Sequence, residues 1–173
     1  MENNAGTSEE LLSRAEILYK FVALFTDYEQ TVRDYGPNDA MSMSEIHILV
    51  HINEHPGITG AELAEAFLIT PSAVSQILSL LESEDYIARF SKKGKKKMIF
   101  CTMKAKQLCD AHRAFDIKTL TKTYGYLLRD CTHEEIHSFY KVMNVYNNIM
   151  NAGRQKRLKR LVEGKNMDVD SAK

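Results

Sequence analysis

Apolar residues recur at helical spacing over most of the chain. From about Ser8 to Tyr35 the positions Leu11, Ala15, Leu18, Val22 and Phe25 form one stripe. This predicts a long first helix, capped by Ser8, with Glu9 and Glu10 in its first turn and Gly36-Pro37-Asn38-Asp39 as its stop. A stripe of that length needs another helix to cover it. A second helix opens at Ser42, where Ser42-x-x-Glu45 has the capping-box spacing, and ends at Pro56-Gly57. Thr59-x-x-Glu62 repeats the box for a third helix, Ala61 to about Phe67, and Thr70-Pro71 opens a fourth that reaches about Glu84.

Between Tyr86 and Cys101 the period shortens. Tyr86-Ile87-Ala88-Arg89-Phe90 and Met98-Ile99-Phe100-Cys101 read as short strands around a Ser91–Lys97 turn in which Gly94 lets the chain reverse. Thr102 then caps a fifth helix to about Arg129, and Thr132-x-x-Glu135 opens a sixth carrying Ile136, Phe139, Met143, Tyr146 and Met150. The expected fold class is mostly α (α+β), six helices with a two-stranded β-hairpin. Its segments are 1–36, 42–103 and 104–163, with 164–173 a disordered tail.

Composition narrows the function. The 173 residues are 44% hydrophobic and carry 23 basic and 23 acidic side chains, enough apolar content for a real core. No apolar run approaches the roughly 18 residues that span a bilayer, so no membrane partner is expected. The opening Met1-Glu2-Asn3-Asn4 is not a secretory pattern, and the three cysteines lack CxxC spacing. A cytoplasmic protein with free thiols is expected, Cys109 and Cys131 packed among helix-core residues. The zero net charge is unevenly spread. Eight basic residues and no acid lie between Tyr86 and Cys109, while the first thirty residues hold six acids against Arg14 and Lys20.

In the fourth helix, at 100° per residue, Val74, Ile77, Leu78 and Leu81 share one face, and Ser72, Gln76, Ser79 and Ser83 the other. The outward face has no carboxylate before Glu82. A helix entering the major groove needs this, because phosphates repel carboxylates whereas hydroxyls and amides reach base edges. The short turn Leu68-Ile69-Thr70 joins it to the third helix as in helix-turn-helix units. The candidate DNA-binding residues are Thr70, Pro71, Ser72, Ala73, Ser75, Gln76 and Ser79, with Arg89, Lys92, Lys93, Lys95, Lys96 and Lys97 clamping phosphates from the hairpin.

The run Glu62–Glu82, followed by Tyr86-Ile87 and a basic hairpin ending in Thr102, resembles the MarR family of winged helix-turn-helix transcription regulators. The resemblance implies a bacterial or archaeal homodimer whose body is built from the first, fifth and sixth helices. Two recognition helices about one DNA turn (~34 Å) apart would meet an inverted-repeat operator on double-stranded DNA, usually as a repressor. The family's wing commonly carries Asp-x-Arg, which sets an arginine for the minor groove. Here Lys-Gly-Lys-Lys-Lys stands instead, leaving Arg89 as the substitute. Arg154, Lys156, Arg157, Lys159 and Arg160 read as stabilising the C-terminus of the sixth helix through its dipole, the alternative being contact with DNA or with acidic groups of the partner.

Relatives of this kind answer to small aromatic or lipophilic ligands, thiol oxidation or metal. Tyr19, Phe25, Tyr28 and Phe115 are candidates for an effector pocket and equally good core residues. Thiol sensing is disfavoured, because oxidation-sensing relatives place a cysteine near the first helix and the earliest here is Cys101. His112 and Asp116 lie four apart on one helix face. With Glu29 and His47 they match, in type and place, most of the zinc ligands of zinc-responsive relatives, Asp116 standing for a second histidine. The alternative is surface or capping histidines, with Asp116 paired to Arg113 or a nearby lysine. An enzyme is not expected, since GxxxxGK, GxSxG and HExxH are all missing. A winged-helix adaptor that binds protein rather than DNA is the competing class.

Overall fold

A computed structural model describes residues 7–35, 40–91 and 97–170, the side chains as far as Arg160. The chain divides into two compact units, Met1–Ile117 and Lys118–Lys173.

In the first unit, α1 (Ser8–Gln30) is capped by Thr7 rather than Ser8. The Thr7 hydroxyl accepts from the Glu10 amide and the Glu10 carboxylate accepts from the Thr7 amide. The helix also ends earlier than its apolar stripe suggested. Val32–Asp34 is a strand (β1) paired antiparallel with β2 (Ala40–Ser42), Arg33 opposite Met41. The β-branched Thr31 and Val32 follow Gln30, and partners across the strand outweigh continued helix. The expected stop at Gly36–Asp39 lies outside the described residues.

The capping boxes hold where sequence placed them. Ser42 and Glu45 open α2 (Met43–Glu54), and Thr59 and Glu62 open α3 (Gly60–Ala66). Each satisfies two amides that would otherwise have no partner in the first turn. Pro71 sits at the start of α4 (Pro71–Ser83), where a missing N–H costs nothing, and the Thr70 hydroxyl accepts from the Ala73 amide at 3.2 Å. Between α3 and α4 the chain turns by 115°. Leu68 makes that turn in the left-handed region, at φ 57°.

β4 (Ile87–Phe90) and β5 (Met98–Cys101) are the expected hairpin. They belong to a three-stranded sheet of order β3-β5-β4, not a two-stranded one, because β3 (Ile58–Thr59) pairs with β5. Two residues after a glycine carry no legible period, so the sequence hid this strand. Gly57, at φ 88°, donates its amide to the Ile99 carbonyl at 2.8 Å and starts the pairing.

The core is formed by Ile46, Ile48, Leu49 and Ile52 of α2, Leu63 of α3, Val74, Leu78 and Leu81 of α4, and Ile87 and Ile99 of the sheet. Burial of such side chains contributes about 1.5–3 kcal/mol each. Ala105, Leu108 and Cys109 join it from the start of α5 (Met103–Leu127), so the division of the chain falls inside that helix rather than at residue 104.

In the second unit, Thr132 and Glu135 form the third expected capping box, at the start of α6 (His133–Asp170). The helix passes through Gly164, where the sequence reading began a disordered tail. One glycine costs a helix only about 1 kcal/mol. Arg154 to Arg160 therefore lie at least two turns short of the helix end. The expected dipole role for them fails, since that effect decays within the last turn. Cys131 is exposed in the turn before Thr132, not packed in a core as expected. No single helix among the described residues is long and apolar enough to cross a membrane.

Candidate nucleic-acid interface and histidine cluster

α4 is anchored as its periodicity required. Val74, Leu78 and Leu81 are buried and Ile77 half-buried, which leaves Ser72, Ser75, Gln76 and Ser79 exposed on the outer side. Thr70 and Pro71 are exposed at the helix start and Ala73 is half-buried. Ser79 donates its hydroxyl to the Ser75 carbonyl at 2.8 Å, which fixes its rotamer and leaves its oxygen able to accept. The Thr70 hydroxyl is engaged as the cap.

The strands bring two hairpin cations to this helix. Arg89 of β4 and Lys97, just before β5, line one groove of about 270 Å³ with Pro71, Ser75, Val74 and Leu78. The other four, Lys92, Lys93, Lys95 and Lys96, lie outside the described residues. Arg89 is not a loose cation. Its Nε donates to Glu82 Oε2 at 2.8 Å, and a second guanidinium nitrogen pairs with the same oxygen. That bonding holds the Glu82 carboxyl below its usual range and Arg89 above its own. Sequence reasoning noted Glu82 only as the first acid on the helix. The seven-residue spacing from Arg89 carries no signal until β4 folds back along α4.

A second grouping joins α2 and α5. His47 of α2 and His112 and Asp116 of α5 bring one ligand atom each to within 4.8 Å of one another. Their rings or oxygens are in contact: the His47 and His112 centroids are 5.2 Å apart, and His112 Nε2 is 3.1 Å from Asp116 Oδ2. Asp116 thus faces His112, whereas sequence offered Arg113 or a lysine. His112 is only 2% exposed, and its Nδ1 is buried without a hydrogen-bond partner among the described residues. Burial pushes the His112 pKa down and Asp116 opposes this, while His47 and Arg33 add to the lowering. The imidazole is therefore neutral at pH 7, the form that ligates metal. Tyr35 closes the cluster edge-on to His112 at 5.2 Å and donates its hydroxyl to Met43 Sδ. Periodicity gives no sign of it, because the apolar stripe extends the first helix through Tyr35, which here follows β1.

Two imidazoles and a carboxylate, with Nδ1 of one of those imidazoles left unsatisfied, suit a zinc ion with an open position. Glu29, the fourth candidate ligand, does not join this cluster. It lies half-buried at the end of α1 and lines a groove of about 420 Å³ with His47, Ser44, Ile69, Ala73 and Ile77. The candidate effector residues are all exposed. Tyr19, Phe25 and Tyr28 lie along α1, Phe25 within 6.3 Å of the Tyr28 ring, and Phe115 packs edge-on to Tyr35 at 5.8 Å. None of the four lines the groove that holds Glu29.

Thiol chemistry is suppressed where the cysteines are covered. Burial pushes Cys101 up to about 12 and Cys109 up to about 11; the Cys109 thiol adds to the first shift and the Asp110 and Glu54 carboxylates to the second.

Residues 41–97 match the family model described as the MarR family. No curated protein matches the sequence. Among solved structures, the chain resembles Streptococcus pneumoniae FabT in complex with DNA. Identity is 19%, TM-score 0.59, over 84% of this chain and 99% of that one. It also resembles Lactococcus lactis ZitR, described as a zinc-responsive MarR family member: 23% identity, TM-score 0.59, over 80% of this chain and 97% of that one. ZitR in complex with DNA gives 22% identity and TM-score 0.59, over 83% and 98%. Residues 41–97 thus carry the sequence pattern of the MarR family, and most of the chain shares the fold of FabT and ZitR.

Proposed function

We propose that the protein binds double-stranded DNA as a homodimer at an inverted-repeat operator and represses transcription until an effector alters its grip. The observation that carries this is the outer side of α4. Ser72, Ser75 and Gln76 stand exposed beside a groove that Arg89 and Lys97 share, and the Glu82 carboxylate is neutralised by Arg89. FabT and ZitR, whose folds this chain shares, were both solved on DNA. Dimerisation is supported by the apolar side chains left uncovered in each unit. α1 exposes Leu12, Ile17 and Leu24, and α6 exposes Val142, Val145 and Ile149. Surfaces of that kind need a partner. Selection of bound duplexes from a random pool, with mass measured in solution, tests the proposal. An enriched inverted repeat bound by a dimer is expected. A stable monomer, or binding without salt dependence, supports the adaptor class instead.

The second reading is zinc control, favoured by the His47–His112–Asp116 cluster and by a zinc-responsive relative of the same fold. In this reading the three side chains hold the ion, and Glu29 reaches it only if the end of α1 shifts. A bound ion would supply a positive charge tying α2 to α5 and so bias the placement of the winged helix. Operator affinity that is equal with chelator and with added zinc ends this reading and leaves DNA binding intact.

A further inference from the structure

Side chains of the β4–β5 hairpin alternate between two faces. Arg89 and Ile99 are register partners on the face turned to α4, where both line the groove with Ser75 and Lys97. Phe90 and Met98 are the next partners, at the turn end of the hairpin, and a shift of one residue puts them on the opposite face. That face is apolar and uncovered. Phe90 is 60% exposed and Met98 46%. Phe100, two residues along β5 and so on the same face, packs its ring edge-on to Phe90 at 5.8 Å. The Met98 methyl lies against Gly57. Single exposed apolar residues are common, but cross-strand partners backed by a third side chain make a continuous patch, already ordered before anything binds.

The surroundings of the patch identify its occupant. Between Tyr86 and Cys109 the sequence has eight basic residues and no acid, so the patch stands in a positive field that attracts a polyanion. Duplex DNA offers that charge together with apolar sugar faces. If α4 lies in a major groove, the phosphate strand bordering it runs through the space that Ser75 and Lys97 share. Across that strand is the minor groove, and the face of the hairpin turned away from α4 is the one that meets it. A flat ring suits a slot about 6 Å wide. Phe and Met are among the side chains that proteins press into the minor groove, where they unstack a base step and bend the duplex. Arg89 is not available for this, since Glu82 holds it on the α4 side.

We propose that Phe90, steadied by Phe100 and flanked by Met98, enters the minor groove of the bound duplex as an apolar wedge, taking the part that sequence offered to Arg89. This rests on the DNA-binding reading above and adds to it a contribution that does not depend on salt. It also gives the hairpin a means of selecting sequence without base hydrogen bonds, because pyrimidine–purine steps unstack more readily than A-tracts.

The test uses full-length protein and a duplex selected from a random pool, with affinity read over a salt series and bending read by energy transfer between dyes at the duplex ends. Phe90→Ala should weaken binding by roughly 10- to 100-fold at every salt concentration. The slope of log K against log salt should stay as in wild type, because an apolar contact releases no counterions. At saturation the bend should be smaller with Phe90→Ala and largely kept with Phe90→Leu. Met103→Ala, which removes a side chain 69% exposed beyond the other end of β5, should change neither quantity. An equal affinity, an equal bend or a flattened slope in Phe90→Ala overturns the wedge while wild-type DNA binding stands. Wild-type protein that binds no duplex removes both readings. A change in solution mass with duplex affinity intact assigns the patch to a protein partner and also overturns the wedge.

Discussion

The wing cations should divide into two kinds when DNA affinity is measured against salt. Lys92, Lys93, Lys95, Lys96 and Lys97 are basic with no acid near them in sequence, whereas Arg89 is bound to Glu82 and the pair carries no net charge. Each neutralised phosphate changes log K by about −0.9 per decade of salt, so five lysines give a slope of about −4.5 per protomer and about −9 for a dimer. Doubling the salt should then weaken binding by roughly 500-fold. Replacing Lys97 by alanine should flatten the dimer slope by about 1.8, one lost contact on each protomer. Arg89→Ala should leave the slope almost unchanged, because a guanidinium held by Glu82 neutralises no phosphate. Glu82→Gln should steepen it by up to about 1.8, by releasing both guanidinium groups to phosphate. Fluorescence anisotropy of a labelled duplex over a salt series reads all four proteins in one assay. If Arg89→Ala flattened the slope as much as Lys97→Ala, the Glu82 pairing would not govern Arg89 and the reasoning would be wrong.

Two backbone positions should respond oppositely to a change of side chain. A Cβ on Gly57, at φ 88°, would stand 2.9 Å from Met98 Cε and 3.3 Å from Phe100 Cζ, so Gly57→Ala should cost about 2–4 kcal/mol and lower Tm by roughly 5–15 °C. Leu68 adopts φ 57° with its side chain 62% exposed, so Leu68→Gly should be neutral or stabilise by up to about 1 kcal/mol, and a clear loss of Tm would contradict the strain assigned there. The His112 pKa is depressed, so the unfolded chain takes up this proton first as pH falls. The stabilisation is complete above the ordinary histidine range. It declines as pH drops through that range towards the folded-state value, by at most about 1.4 kcal/mol per pH unit. Urea denaturation at pH 7.5 and 5.5 should show that loss, reduced in His112→Gln. Alkylation of native protein at neutral pH should modify Cys131 first and leave Cys109 and Cys101 nearly untouched until the chain unfolds, as peptide mass mapping would read directly.

Local signals in the sequence determined much of this protein. Ser42-x-x-Glu45, Thr59-x-x-Glu62, Thr70-Pro71 and Thr132-x-x-Glu135 each open a helix in the structure, because a cap is a contact between residues three apart and needs no tertiary context. The buried and displayed sides of α4 follow from its period for the same reason. What the sequence could not decide depends on distant partners. Val32–Asp34 became strand because Ala40–Ser42 was there to pair with it, and Ile58–Thr59 became strand because β5 passed alongside. Glu82 gained its role from a strand folding back. Of the four candidate ligands, three meet and Glu29 stands apart, because the distance between side chains on different helices is set by how those helices pack.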